Sequence, residues 1–158
     1  MLRVDIRDLQ RGPVQTTGEL EPDDPAFEGL GLDLVGNVLV DGQLQATSEG
    51  EYLWRGTIHA VVRGECRRCL TEVLDEIHAD VGAAMFSTDP EAADDPDFYP
   101  LPPRPSAIDL AVVVREELAL AAPTHLLLCR DDCAGLCPRC GADLNAGPCA
   151  CRTSAEPV

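Results

Sequence analysis

The sequence predicts an α+β fold: an antiparallel β-sheet with hairpins, one long helix in the C-terminal half, and a cysteine-rich tail. Three observations predict it. Several runs between residues 2 and 81 alternate apolar with polar side chains, which is the period of a half-buried strand. Between residues 106 and 123 the apolar residues recur instead at helical spacing. Six of the eight cysteines then crowd into Cys129 to Cys151. The resulting organisation is a sheet region over 1–86, an acidic proline-rich loop over 87–105, a helix over 106–123 and a tail over 124–158, all within one integrated domain.

Leu2, Val4 and Ile6 alternate with Arg3, Asp5 and Arg7, so residues 2–9 are expected to form the first strand. From Gln10 to Gly31 the chain is rich in Gly, Pro and acids, and reads as a long connection. Leu32 to Val40 is apolar and β-branched, and Asp41-Gly42 is the kind of dipeptide that tolerates positive φ in a tight hairpin turn. A returning strand would pass through Leu44 and Ala46 before Ser48 to Glu51 turns the chain again. Over 52–63, Trp54, Ile58, Ala60 and Val62 fall on one face and Arg55, Thr57, His59 and Arg63 on the other. Val73, Ile77 and Val81 alternate in the same way with Glu72, Glu76, His78 and Asp80. Cys66-Arg-Arg-Cys69 therefore belongs at a hairpin tip, with His59 and His78 solvated on the sheet face and without ligand spacing. About five strands are expected by hairpin counting.

Ser87 to Pro105 holds six prolines and a run of acids including Asp94, Asp95 and Asp97, the composition of a solvated linker. Ser106 then opens a capping-box-like SAID, with Asp109 near the positive helix end. Leu110, Val114, Leu118 and Ala121 make a stripe that can lie on the sheet, and Pro123 marks the stop. Glu116 and Glu117 are adjacent, so they face different ways on a helix and suit surface charges better than an acid-base pair.

The cysteines carry the chemistry. Cys66-x-x-Cys69 and Cys137-Pro-Arg-Cys140-Gly have the form of metal knuckles, in which the backbone turns between two thiolates and aims its amides at the sulfurs. Disulfides require an oxidising compartment, whereas MLRVDIRDLQ has no apolar export segment, so a cytoplasmic location is expected. The spacings also differ from ferredoxin iron-sulfur runs. Eight thiols thus imply Zn2+ in two structural sites and a zinc-binding tail. Cys137, Cys140, Cys149 and Cys151 can share one ion across the eight-residue GADLNAGP loop, leaving Cys129 and Cys133 to join Cys66 and Cys69 in the second. Sharing of one ion by the two knuckles remains an alternative partition.

A formal net charge of −16, from 12 Lys plus Arg against 28 Asp plus Glu, opposes binding to a phosphate backbone unless basic residues gather locally. All the basic residues are Arg, and Arg63, Arg67 and Arg68, with Arg55 on the strand, form the only close cluster. No apolar run has the length of a membrane span. No catalytic constellation is visible, so no enzymatic activity or small-molecule substrate is expected. Arginine beside Cys66 and Cys69 lowers thiol pKa and makes a zinc/thiol redox-responsive switch the alternative function, although a CxxC on a β-hairpin is not the thioredoxin arrangement.

A sheet with CRRCL at a hairpin tip, an acidic proline-rich gap, IDLAVVVREELALAAP and CRDDCAGLCPRCGADLNAGPCAC together resemble the bacterial YceD family, the large ribosomal RNA subunit accumulation proteins. The resemblance covers most of the chain. It implies a non-enzymatic cytoplasmic factor linked to accumulation of 23S ribosomal RNA and large-subunit assembly. The partners it implies are ribosomal proteins or a large-subunit precursor particle. It also implies that the tail serves stability or regulation more than the shared activity, because some family members keep the hairpin pair without it.

Overall fold

The structure is a computed structural model that describes residues 2–122 and 127–151. It is mostly β-sheet with a few helical segments. The chain runs β1 (Arg3–Asp5), α1 (Ile6–Leu9), β2 (Val14–Gln15), β3 (Gly18–Leu20), β4 (Asp33–Leu34), β5 (Val38–Ser48), β6 (Glu51–Glu65), β7 (Glu72–Ser87), β8 (Phe98–Pro100), β9 (Ala107–Asp109) and α2 (Ala111–Ala121). Seven strands form one sheet in the order β2-β5-β6-β7-β8, with β3 also on β5 and β4 on β6. A separate two-stranded ribbon pairs β1 with β9.

The long strands follow the alternation in the sequence. On β6, Trp54, Ile58, Ala60 and Val62 are buried, as are Val38, Val40 and Leu44 on β5 and Ile77, Val81 and Phe86 on β7. This core face receives α2 through Leu110, Val113, Val114 and Leu118, all fully buried. The expected apolar stripe of the helix is therefore present, with Val113 added and Ala121 at its margin. Burial of the large apolar side chains among these supplies the main folding term, at about 1.5–3 kcal/mol each.

Four expectations are corrected. Asp41-Gly42 is not a turn: β5 passes straight through it, and Gly42 lies opposite Gly56 on β6. These two glycines make room for the Trp54 indole, since a Cβ on Gly42 would come within 2.8 Å of the ring and one on Gly56 within 2.8 Å of the Gly42 Cα. The hairpin turn falls at Glu49-Gly50, where Gly50 has φ 77°. Second, the helix begins at Ala111, because Ile108 is fully buried and the chain from Ala107 to Asp109 is held extended against β1. Leu110, not Ser106, occupies the N-cap position, while the Asp109 carboxylate accepts from the Ala111 amide at 3.0 Å. The Pro123 stop lies outside the described residues. Third, the 87–105 stretch is structured in part: a short 3-10 helix spans Pro90–Asp94, and β8 pairs with β7 in parallel, so the sheet is mixed. Tyr99 of β8 packs on Phe86, ring centroids 5.1 Å apart, which anchors the acidic stretch to the core. Fourth, Ile6 to Leu9 turns helical after only three residues of strand, with the Asp5 side chain capping it.

Trp54 is the largest fully buried side chain, and its indole N–H donates to Thr16 Oγ1 at 2.8 Å, itself fully buried. Thr16→Val should leave that donor unpaired at a cost of about 1–3 kcal/mol. Gly56→Ala should cost a similar about 1–3 kcal/mol through overpacking. Urea unfolding of the two variants checks both, and an unchanged midpoint in either would contradict the packing described.

Candidate metal centre

The Cys66-to-Cys69 turn sits at the tip of the β6–β7 hairpin, as expected, closed by the last ladder pair Glu65 and Glu72. Inside it, the Cys66 amide donates to the Thr71 carbonyl and the Leu70 amide to the Cys66 carbonyl, both at 2.8 Å. Around Cys137 the bonds repeat: its amide donates to Ala142 and the Gly141 amide donates back to Cys137, again at 2.8 Å. The two segments are thus the same knuckle. Gly141 occupies its left-handed position with φ 72°, and Leu70 occupies the equivalent one with φ 62°. A leucine there costs about 1–2 kcal/mol, and Leu70 is 59% exposed, so burial does not offset it.

Both quartets of sulfurs converge. Cys66, Cys69, Cys129 and Cys133 lie within 4.8 Å of one another, as do Cys137, Cys140, Cys149 and Cys151. Cys66 Sγ stands 3.8 Å from Cys133 Sγ, and Cys69 Sγ stands 3.6 Å from Cys129 Sγ. A disulfide requires about 2.05 Å. Four sulfurs at about 2.3 Å from a tetrahedral ion are separated by about 3.8 Å. The thiols therefore match a metal-bound set, and the partition in the structure is one knuckle per quartet, not two knuckles together.

The sulfurs are electrostatically prepared. The Cys129 amide, followed by those of Cys69 and Arg68, lowers the Cys66 thiol to about 6. The amides of Cys140 and Arg139 lower Cys137 to about 6. The Thr71 side chain lowers Cys69. In each quartet one thiol moves the other way: hydrogen bonding to Cys133 pushes Cys129 up to about 12, and bonding to Cys140 pushes Cys151 up to about 12. Several thiolates cannot share one small space without a cation, so a proton stays on one of them.

Three contacts tie the tail to the hairpin. The Arg67 amide donates to Leu127 and the Leu136 amide to Arg68, each at 2.9 Å, while Arg68 Nη1 donates to the Cys133 carbonyl at 3.0 Å. Asn145 joins the two quartets. Its Oδ1 accepts from the Ala134 amide at 2.8 Å and from Arg130 at 2.7 Å, and its Nδ2 approaches Cys133 Sγ at 3.5 Å. The sequence reading missed Asn145, because one amide inside GADLNAGP carries no spacing signal.

The geometry also brings together a group that the sequence reading set aside. His59 and His78 are solvated on the open sheet face, as expected, but they are direct cross-strand partners and Glu76 lies beside them.

A family model described as large ribosomal RNA subunit accumulation protein YceD matches residues 54–157. The chain belongs to the YceD family. The match takes in most of β6, all of β7, α2 and both quartets. Similarity to curated proteins reaches further toward the N-terminus: an uncharacterized protein of Mycobacterium tuberculosis and one of Mycobacterium bovis are each 32% identical over 154 residues, covering 93% of this chain and 72% of theirs. An uncharacterized protein of Mycobacterium leprae is 29% identical over 157 residues, covering 91% and 68%. No solved structure matches.

Three outcomes are expected of this centre. Metal uptake at neutral pH should release at least one proton per site, from Cys129 and Cys151, measurable by calorimetry in buffers of different ionisation enthalpy. Apparent metal affinity should fall more steeply with decreasing pH below about 6, where the metal-free Cys66 and Cys137 thiols are protonated and must also give up protons to bind. Asn145→Leu should weaken metal binding at the hairpin site by about 10–100-fold, scored by competition with a chromogenic chelator; equal loss from both sites would contradict its placement on Cys133.

Proposed function

We propose that this chain is a non-enzymatic cytoplasmic factor supporting 23S ribosomal RNA accumulation and large ribosomal subunit assembly, with two structural zinc ions holding 1–158 as one integrated domain. The observation that carries this reading is the family match, which spans the hairpin and both cysteine quartets. Family membership links the chain to accumulation of the large-subunit RNA. No helix among the described residues is long and apolar enough to cross a membrane.

The partner favoured by the surface is a basic ribosomal protein or a precursor particle presenting one, not naked RNA. The net charge of −16 repels phosphate. Two of the four arginines clustered around the hairpin are also engaged: Arg63 lies 3.7 Å from Asp33 and 3.5 Å from Glu72, and Arg68 is bonded to the tail. The outer edge of β7 offers a docking place. It pairs with β8 only at Met85, Phe86 and Ser87, so residues 72–84 carry no strand partner on that side among the described residues. Exposed Glu72, Glu76 and Asp80 line this strand, which suits an extended basic segment adding to the sheet.

Depletion of the protein should lower the ratio of 23S to 16S RNA, with restoration by the parent chain. In pull-downs, the purified chain should retain basic large-subunit proteins in a salt-sensitive manner and leave naked 23S RNA unbound. Salt-dependent RNA retention abolished by Arg55→Ala and Arg67→Ala would transfer the contact to RNA.

A further inference from the structure

The open face of the β6–β7 hairpin holds a second kind of metal-ligand set, distinct from the thiols. His59 and His78 occupy matching ladder positions, with ring centroids 4.5 Å apart and planes tilted by 39°. Glu76, two residues before His78, points the same way. One of its oxygens, Oε2, lies 3.2 Å from His78 Nε2 and 3.8 Å from His59 Nε2. Three potential ligand atoms therefore converge from two strands whose relative position is fixed by a continuous ladder.

We propose that His59, His78 and Glu76 form a solvent-open site for a divalent first-row transition ion that favours imidazole, such as nickel or zinc. Two imidazole nitrogens and a carboxylate oxygen are the donor types these ions take. The Nε2-to-Oε2 separations are close to the about 3.3 Å edge of a tetrahedron with ligands about 2.0–2.1 Å from its centre. The third pair needs only side-chain rotation, because all three ligand atoms already lie within 4.8 Å. Exposure leaves room for that movement: the side chains of Glu76 and His78 are about two-thirds exposed, and that of His59 is one-third exposed. Remaining coordination positions face solvent.

The surroundings favour a cation. Asp80 lies on the same face of β7 beyond His78, and Asp41 of β5 is the ladder partner of Thr57, which is itself opposite Asp80. Two arginines lie four residues from His59 along β6: Arg63 is occupied by Asp33 and Glu72, and Arg55 is opposite Gln43, on the far side of Thr57. A bound ion would clip β6 to β7 midway along the hairpin, on the face opposite the buried Ile58, Ala60, Ile77 and Ala79. Unlike the buried thiolate quartet at the tip, this site would exchange its ion readily with solvent.

The test uses the full chain carrying two zinc ions, enough for the thiolate quartets alone, titrated with nickel chloride in a calorimeter while zinc content is followed by elemental analysis. One nickel ion per chain is expected with no loss of zinc. His59→Ala and His78→Ala should each weaken nickel binding at least tenfold, the double variant should abolish it, and Glu76→Gln should weaken it less. Paramagnetic broadening by nickel should fall first on the His59 and His78 imidazole signals of the parent chain, a readout that needs no variant. Absence of saturable uptake, uptake unchanged in the double variant, or nickel entering only as zinc leaves would overturn the proposal.

Discussion

The meeting of Cys66 and Cys69 with Cys129 and Cys133 is the constraint on which the C-terminal part of this structure depends. The paired sulfurs are separated by 60 and 67 residues in the chain, so bringing them together carries a substantial loop-closure cost. Little apolar surface offsets it. The buried group around these thiols is separate from the main core and, among the described residues, has Val73, Leu128 and Leu136 packed against it. A handful of backbone bonds to Arg67 and Arg68 orient the tail but are worth about 0.5–1.5 kcal/mol each. A metal ion on four thiolates provides about 10–16 kcal/mol in small zinc modules, which is the scale needed to hold such a tail without a core of its own.

The same constraint accounts for the placement of arginine. A divalent ion with four thiolates carries a net charge of about −2, and this chain is already strongly acidic. Arg67, Arg68, Arg130 and Arg139 all belong to the segments that surround the two quartets. Arg68 donates to the carbonyl of a sulfur-bearing residue, and Arg130 donates to the Asn145 amide that approaches Cys133. Arg68 and Arg130 thus act within the centre as hydrogen-bond donors and countercharge, which takes part of the basic cluster seen in the sequence out of the open surface.

What the sequence made legible follows from how local each signal is. The long strands were readable because alternation of residues such as Ile58, Ala60 and Val62 is a direct image of the sheet surface. The hairpin tip was readable because the alternating runs on either side of Cys66 and Cys69 require a turn between them, whereas spacing left two partitions of the eight cysteines open and the fold selects one knuckle per quartet. Asp41-Gly42 misled because glycine serves two physical needs, positive φ and close approach, and only the tertiary position of Trp54 shows that the second applies. The start of α2 misled for a similar reason: pairing of Ala107 to Asp109 with a strand at the other end of the chain overrides a good local cap at Ser106. β8 is short and flanked by prolines, so its two aromatics carry the only clue, and that clue needs Phe86 to be meaningful. The His59 and His78 pairing was not legible, since counting back symmetrically from Cys66 and Cys69 places His59 opposite Glu76, and only the pairing of Glu65 with Glu72 sets the true register.

The β6–β7 hairpin is consequently one rigid arm with different chemistry along its length. Its base, around Trp54 and Phe86, is fixed by apolar burial and by the N-terminal segment that brings Thr16 and Gly42 to the indole. Its tip lies about 23 Å beyond His59, at about 3.3 Å per residue, and is fixed by thiols. Neither anchorage needs the other's contacts, yet both act on the same continuous ladder from Glu65 back toward Gly56. Loss of metal at the tip should therefore free the tail and fray the ladder inward only as far as the core-facing Ile77 and Val62, where burial takes over. Only the end of the free β7 edge nearest the tip, from Glu72 to Asp75, lies along the part that frays, while Ile77 to Ala84 stay held by the core beneath them.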